Sequence, residues 1–274
     1  MFWVIQNNIY REAGQEKLLV RLKERGIPHQ EVKVVPFGDV LLPSNFDSNA
    51  FHGSIEELSE VEFPSNQPIM VLGGTSLTRI ADKKGWSPGS FLNENFHYNV
   101  WQKAYGKHLL NAESVVDTFR NIEPIWDTFF IRPCEDTKDF AGTVYTKENF
   151  LSWREDLLQL EEQCDFADND MIASPVKEIF AEYRFFVVDR KIATYSQYKK
   201  GDKLFKSTEV NEEVIGFANE MIALLQPSRA FVIDIAETPE GLKVIEINNF
   251  NSAGFYAADV GKLIDAVEEM QFNI

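Results

Sequence analysis

Hydrophobic and polar positions along the chain change rhythm once, near the middle. In the first part, short solid apolar runs alternate with amphipathic stretches. Phe2–Gln6, Val32–Pro36 and Pro68–Leu72 read as buried strands, and Glu16–Glu24 as a helix with Leu18, Leu19 and Leu22 on one side. Gly26 stands where a helix end takes a left-handed residue, and Pro28 follows it. This strand–helix–strand order predicts a small α/β unit. Residues from about 38 to 67, rich in Asn, Ser, Pro and Phe, carry no readable period. The run ending at Leu72 opens into Gly73-Gly74-Thr75-Ser76, which can cradle a phosphate at a helix N-terminus or simply turn a strand into a helix.

From Asp127 onward the pattern becomes one of paired strands. DTFFIRPCEDTKDFAGTVYT reads as strand, polar loop, strand, with Arg132-Pro133 closing the first and Asp136, Thr137, Lys138 and Gly142 in the loop. Asn149–Glu162 is an amphipathic helix, its Phe150, Trp153, Leu157 and Leu160 recurring at helical spacing. Asp170–Ser174, Val176–Phe180 and Ala181–Val188 read as strands, and a tight turn at Asp189-Arg190 leads into Lys191–Tyr198. Lys199–Ser207 reads as a mobile polar segment. Glu212–Leu225 is a helix with Val214, Ala218, Met221, Ile222 and Leu225 inward, and Ala257–Met270 supplies the last helix. Between the two halves, Trp86, Phe91, Phe96, Tyr98, Trp101 and Tyr105 are expected to pack as core or inter-domain contacts, with Lys103 and Lys107 solvated.

The chemically informative stretch is FVIDIAETPEGLKVIEINNFNSAGFY, from Phe231 to Tyr256. It predicts a hairpin of Phe231–Ala236 and Leu242–Asn248. Period two puts Glu246 and Asn248 on one face, and Asp234 can meet them across the pair. An acid inside an apolar run is costly to bury without a cation or hydrogen bonds. Two carboxylates and an amide oxygen on one surface are hard ligands of the kind Mg²⁺ takes. The same alternation also fits a hairpin whose acids simply face solvent.

Composition narrows the classes. The chain has 274 residues, 44% hydrophobic, with a formal charge of −16, enough for a large globular core and unsuited to non-specific binding of nucleic acid or anionic membrane. No apolar run approaches a membrane span, and the start MFWVIQNN lacks a basic leader region. Cys134 and Cys164 form neither a disulfide framework nor a CxxC pair, which leads us to expect a reducing, cytoplasmic setting. His29, His52, His97 and His108 show no metal-ligand spacing. No Ser/His/Asp or Cys/His constellation stands out.

Four pieces, in order, resemble the ATP-grasp superfamily over roughly residues 127–259. Phe130-Ile131-Arg132-Pro133 resembles the strand that usually ends Val-Lys-Pro. Arg132 where lysine is usual, with Lys138 in the following loop, is similar to a divergent, often phage-linked clade. Pro175-Val176-Lys177-Glu178-Ile179-Phe180-Ala181-Glu182 resembles the hinge between lobes. Tyr183-Arg184 followed by an apolar strand looks like the family's third motif. Asp234 with Glu246-x-Asn248 resembles its metal-binding strands.

The resemblance implies an α/β protein of the ATP-grasp fold, with two α+β lobes clasping ATP behind a small Rossmann-like pre-domain. The implied divisions are 1–98, 99–180 (small lobe) and 181–274 (large lobe). It implies that Arg132, Lys138 and Arg184 are catalytic and hold phosphate. Lys177, Glu178 and Ile179 would hold the adenine edge, Glu182 the ribose, and Asp234, Glu246 and Asn248 the Mg²⁺. The segment Asn251–Tyr256 would border the acceptor. The activity implied is an ATP-dependent, ADP-forming carboxylate–amine ligase working through an acyl phosphate, with a small-molecule or peptide carboxylate and an amine as partners. A kinase on the same fold, or a non-catalytic ATP-binding regulator, are the alternatives. The cluster Lys199, Lys200, Lys203 and Lys206 would be a nucleotide lid or a solvated loop.

Overall fold

The structure, a computed structural model, describes residues 1–9, 13–35, 39–47, 52–54, 57–134, 140–160 and 164–271. Among them the chain builds three sheets. The N-terminal sheet comprises β1 (Phe2–Gln6), β2 (His29–Val35), β3 (Val40–Pro43), β4 (Ile69–Leu72) and β5 (Pro88–Gly89), in the order β3-β2-β1-β4-β5. All but the edge strand β3 run parallel. Helices α1 (Ala13–Glu24) and α2 (Thr75–Lys83) make the crossovers, as parallel strands require. Gly26 ends the α1 turn at φ +66, the left-handed region glycine enters without cost. The stretch that showed no period contains β3, whose Leu41 and Leu42 are buried.

After α3 (Tyr98–Tyr105), a four-stranded antiparallel sheet is formed by β6 (Val115–Thr118), β7 (Thr128–Pro133), β8 (Thr143–Thr146) and β9 (Asp170–Pro175), in the order β6-β9-β7-β8. Its apolar face packs Phe129, Ile131, Met171 and Ala173 against Phe119 and against Phe150 of α4 (Lys147–Gln159). Strand β6 has too few apolar positions to show in the sequence; its register with β9 makes it a strand.

The third sheet is antiparallel, in the order β12-β11-β10-β13-β14. It is built from β10 (Ala181–Val188), β11 (Lys191–Lys200), β12 (Lys203–Ser207), β13 (Ala230–Thr238) and β14 (Gly241–Asn249). One face, with Tyr183, Phe185, Val187, Ile233 and Ile235, buries the apolar stripe of α5 (Glu212–Leu224) together with Tyr98, Trp101 and Tyr105 of α3. The other face presents Phe186, Val188 and Val232 to Trp3, Ile5 and Leu72 of the N-terminal sheet and to α6 (Val260–Glu268). Phe186 is wholly buried there, so its truncation to Ala would cost about 3–5 kcal/mol.

Two expected elements come out differently. Val176–Phe180 is not a strand: Pro175 ends β9, and the chain crosses to the next sheet with no ladder partner. Lys199–Ser207 is a hairpin, not an irregular segment. Gly201, at φ +55, turns the chain and donates its N–H to the Phe180 carbonyl at 2.7 Å, and β12 adds an edge strand.

Candidate active site

The period of two along β10 places Glu182 and Arg184 on the same face as Phe186 and Val188, beyond the end of the apolar contact. Register then builds the site. Arg184 lies opposite Asp234 and Asp234 opposite Glu246, so three strands bring three charged residues into one row. One step along, Val232 pairs with Asn248. A bulge after Asp234 sets Val244 rather than Ile245 opposite Ile235, which keeps Glu246 and Asn248 on the polar face.

The row is tied by hydrogen bonds. Arg184 donates from Nε to Asp234 Oδ1 at 2.9 Å and from Nη2 to Oδ2 at 2.7 Å, a bidentate pair. Its Nη1 donates to the Gly254 carbonyl at 3.2 Å. The amide of Asn248 donates to Glu246 Oε1 at 2.9 Å and to Asp234 Oδ2 at 3.3 Å. Asp234 is 0% exposed. Complete burial lifts its carboxyl to about 6 even though Arg184 draws it down, with Glu246 and Glu182 adding to the rise. Burial also works against the Arg184 charge, but the Asp234 carboxylate outweighs it and raises the guanidinium further.

Arg184 is also framed by aromatic rings. Tyr198 and Tyr256 stack at 4.7 Å and 10°, and the guanidinium lies 5.5 and 5.1 Å from the two ring centres. Burial, with Asp234 and Glu182 nearby, raises the Tyr198 hydroxyl, so it stays protonated and donates to Glu182 Oε2 at 2.7 Å. Lys199 donates to the other oxygen of Glu182 at 2.8 Å. Glu182 thus belongs to the Arg184 cluster through Tyr198, with both oxygens engaged. Lys206 stands 5.9 Å over Tyr256, so the lysine hairpin leans on this cluster.

Arg132 enters from the other sheet. It closes β7, lies 5.4 Å from the ring centre of Trp101, and reaches Glu246 Oε2 at 3.9 Å and the Pro133 carbonyl at 3.5 Å. Its Nη2 is buried and has no hydrogen-bond partner among the described residues. Arg132, Trp101, Glu246 and Asn248 line one cavity of about 860 Å³, together with Thr75 of α2 and Asn93, a volume within the usual range for a small-molecule site.

Other expected residues sit apart from this cavity. Lys177 pairs with Glu113 at 3.4 Å and Glu240 at 3.7 Å. Glu178 is exposed and Ile179 half-buried. The backbone groups of residues 176–179 make no hydrogen bond to another described residue, which leaves donors and acceptors open along that crossing. Lys138, Asp136 and Thr137 lie outside the described residues. In the GGTS turn both glycine N–H groups already have protein partners: Gly73 donates to the Asn251 carbonyl and Gly74 to Gln6 Oε1, each at 2.9 Å. A Cβ at Gly73 would come within 2.6 Å of Gln6, so the close approach of the turn to β1 requires glycine there.

Sequence reasoning overlooked Tyr198 and the contact of Trp101 with Arg132; neither ring has a local signature. It also passed over the side chain of Asn251. This residue is 2% exposed, donates to the Val71 carbonyl at 2.6 Å and accepts from the Phe91 N–H at 2.8 Å. It stands in for a strand partner between β4 and β5, locking the end of the Glu246–Asn248 strand to the N-terminal sheet. Its place within the acid-bearing stretch was the available signal.

Among the described residues no group of three or more His, Cys, Asp and Glu side chains converges as a metal centre; the oxygen set is two carboxylates and an amide. That set still fits a hard cation. Glu246 and Asn248 both line the cavity, and their side-chain oxygens are of the kind such an ion takes. Asp234 already accepts three hydrogen bonds out of about four acceptor positions on a carboxylate. It sits behind the other two as their support. Among the described residues no helix is long and apolar enough to cross a membrane.

Comparison with known proteins gives the same fold. A family model described as an ATP-grasp domain, family 3 of its clade, matches residues 39–267. The structure is similar to that of D-alanine–D-alanine ligase from Bacillus anthracis complexed with ATP (13% identity, 97% of this chain and 96% of that one, TM-score 0.58). It is similar to D-cycloserine synthetase DcsG (9% identity, 98% of each chain, TM-score 0.63). A third is the ATP-grasp ligase PsnB complexed with a phosphomimetic variant of minimal precursor, Mg and ADP (12% identity, 97% and 96%, TM-score 0.52). At these identities the likeness is one of fold. No curated protein sequence matches the chain.

Proposed function

The chain belongs to the ATP-grasp superfamily, within one of its divergent clades, and from that premise we propose that it is an ADP-forming ligase joining a small-molecule or peptide carboxylate to an amine. On this reading residues 1–98 are the pre-domain, 99–180 the small lobe and 181–274 the large lobe. The observation that carries the reading is the pairing across the 860 Å³ cavity. A guanidinium with an unpartnered buried Nη2 stands on one sheet, and an oxygen set suited to a divalent ion stands on the other. A polyphosphate bound to such an ion satisfies both. Two of the structural relatives carry ATP, or Mg and ADP.

Each side chain then has a task. Arg132 holds a phosphate oxygen through Nη2 and is oriented by the Trp101 ring. Glu246 and Asn248 would hold Mg²⁺, with Asp234 behind them. When bound, the ion neutralises and orients the polyphosphate. Arg184 fixes Asp234 and, through the Gly254 carbonyl, the turn that borders the acceptor. Its remaining N–H groups are available to a carboxylate or phosphate oxygen. The open backbone of residues 176–179 offers an adenine edge the donors and acceptors it needs, with Lys177, Glu178 and Ile179 supplying that wall. Glu182 would meet the ribose by exchanging Lys199 for a hydroxyl, and Lys138 would add a second phosphate contact. The substrate carboxylate attacks the γ-phosphorus and ADP leaves. The amine then displaces phosphate from the acyl phosphate, giving amide and inorganic phosphate. Positioning and charge supply the catalysis, and no side-chain nucleophile is needed.

Incubation with Mg·ATP and pooled amino acids and peptides tests this. ADP and phosphate should appear in step with a condensed product in the mass spectrum. Phosphate carried on a stable acceptor without condensation would make the protein a kinase. Nucleotide binding with no turnover would make it a regulator.

A further inference from the structure

A second cavity, of about 420 Å³, shares Ser252 with the first but faces the N-terminal sheet. It lies at the carboxyl ends of β1 and β4, where Ile5, Leu72, Gly73 and Gly74 form part of its wall. From these neighbouring strands the chain leaves in opposite directions, β1 toward β2 and β4 toward β5. In open parallel sheets such a switch point opens a crevice in which ligands bind.

The chemistry of the wall is mostly apolar, from Ile5, Ile9, Leu18 and Leu72. Asn251, Ser252 and Tyr256 add polar atoms along the turn side, and two further polar groups matter for a ligand. Arg184 contributes its guanidinium, whose charge is already matched by Asp234. Gln15, near the start of α1, contributes an Oε1 that is buried and has no hydrogen-bond partner among the described residues. A buried unpaired acceptor costs ~1–3 kcal/mol, which a ligand N–H would relieve. No Asp or Glu is among the described residues lining the cavity, so a second positive charge on a ligand finds no counter-charge among them. A negative side chain meets only a guanidinium already neutralised.

We propose that this cavity is the amine-substrate pocket and selects a small apolar amine of amino-acid size, its nitrogen donating to Gln15 Oε1 and its side chain lying against Ile5, Ile9 and Leu72. The assignment of amine as substrate rests on the ligase reading above; the preference for an apolar N–H donor rests on the cavity itself. Gln15 is thus a specificity-determining residue from an element outside both lobes.

Calorimetric titration of the full chain with L-leucinamide, L-glutamate and L-lysine, with and without Mg·AMP-PNP, tests the proposal. Leucinamide should bind at least tenfold more tightly than either charged amino acid. Gln15→Leu should weaken leucinamide tenfold or more while leaving the urea midpoint unchanged or higher, because it removes a polar atom that the fold does not use. Ile9→Trp, which fills the cavity, should give the same loss, and AMP-PNP binding in the same titrations reports that each variant is folded. Equal leucinamide affinity in wild type and Gln15→Leu, or a preference for glutamate or lysine, overturns the pocket. Leucinamide binding that depends on Gln15 without any ATP turnover would leave the pocket standing and remove the ligase reading. Turnover on an amine indifferent to both substitutions would do the reverse.

Discussion

Arg184 and Arg132 approach the same oxygen-rich row from different sheets, under different conditions. Arg184, on β10, is 8% exposed and commits Nε and Nη2 to Asp234 and Nη1 to a carbonyl. Among the described residues, Arg132, at the end of β7, has a 3.9 Å approach to Glu246, a 3.5 Å contact to its neighbour's carbonyl and a ring beneath it. One guanidinium is tied into the fold by three hydrogen bonds, and the other keeps a buried Nη2 with no partner among the described residues. The difference follows from what surrounds them. Register places a fully buried carboxylate directly opposite Arg184, and such a pair must form in full or both charges become costly. Arg132 borders a cavity, where the missing partner can be a solute.

Separating these two roles by substitution gives the largest effects first. Asp234→Ala strands the buried Arg184 charge and should lower unfolding free energy by about 3–5 kcal/mol, read from urea denaturation, with loss of turnover following the loss of structure. Glu246→Gln should leave the urea midpoint near wild type and cut Mg-dependent turnover at least about a hundredfold, roughly 2.7 kcal/mol of transition-state stabilisation. Turnover at the wild-type rate would remove Glu246 from the ion site.

Proton linkage sharpens the same contrast. Asp234 has its carboxyl raised to about 6 by burial, above its unfolded value of 3.8. The native state therefore binds the extra proton between those values, and the stabilisation it gives is full below 3.8 and lost as pH rises through about 6. The full effect is on the order of 3 kcal/mol, about 2 of it lost between about pH 4.5 and about pH 6.5, and Asp234→Asn should abolish it; the difference in urea midpoints across that window, wild type against variant, is the measurement. Arg132→Lys should raise the KM for ATP about tenfold, because charge survives while the planar stack on Trp101 and the forked donor are lost; the stability change should stay below about 1 kcal/mol. Lys177→Ala, which breaks only exposed ion pairs, should move the urea midpoint by less than about 0.5 kcal/mol in energy. A larger drop would show that the crossing between the lobes is braced by that lysine.

Much of this arrangement can be read along the chain because it depends on local rules. The hairpin carrying Asp234, Glu246 and Asn248 was legible from alternation, since period two forces residues two apart onto one face, and the stripe of α5 from its helical spacing. Tyr198, Trp101 and Gln15 were not. Each acts on a residue distant in sequence: Tyr198 on Arg184 across a strand pair, Trp101 of α3 on Arg132 at the end of β7, and Gln15 through a cavity wall that exists only once α1 lies against β1 and the Asn251–Tyr256 turn.

By itself, then, the chain's pattern determined the strands, the helices and the shared face of the acid-bearing hairpin, because steric and hydrophobic periodicity act between near neighbours. Tertiary structure alone decided which arginine is neutralised and which is left open. That outcome depends on burial and on distances between separate sheets, and no local spacing encodes either.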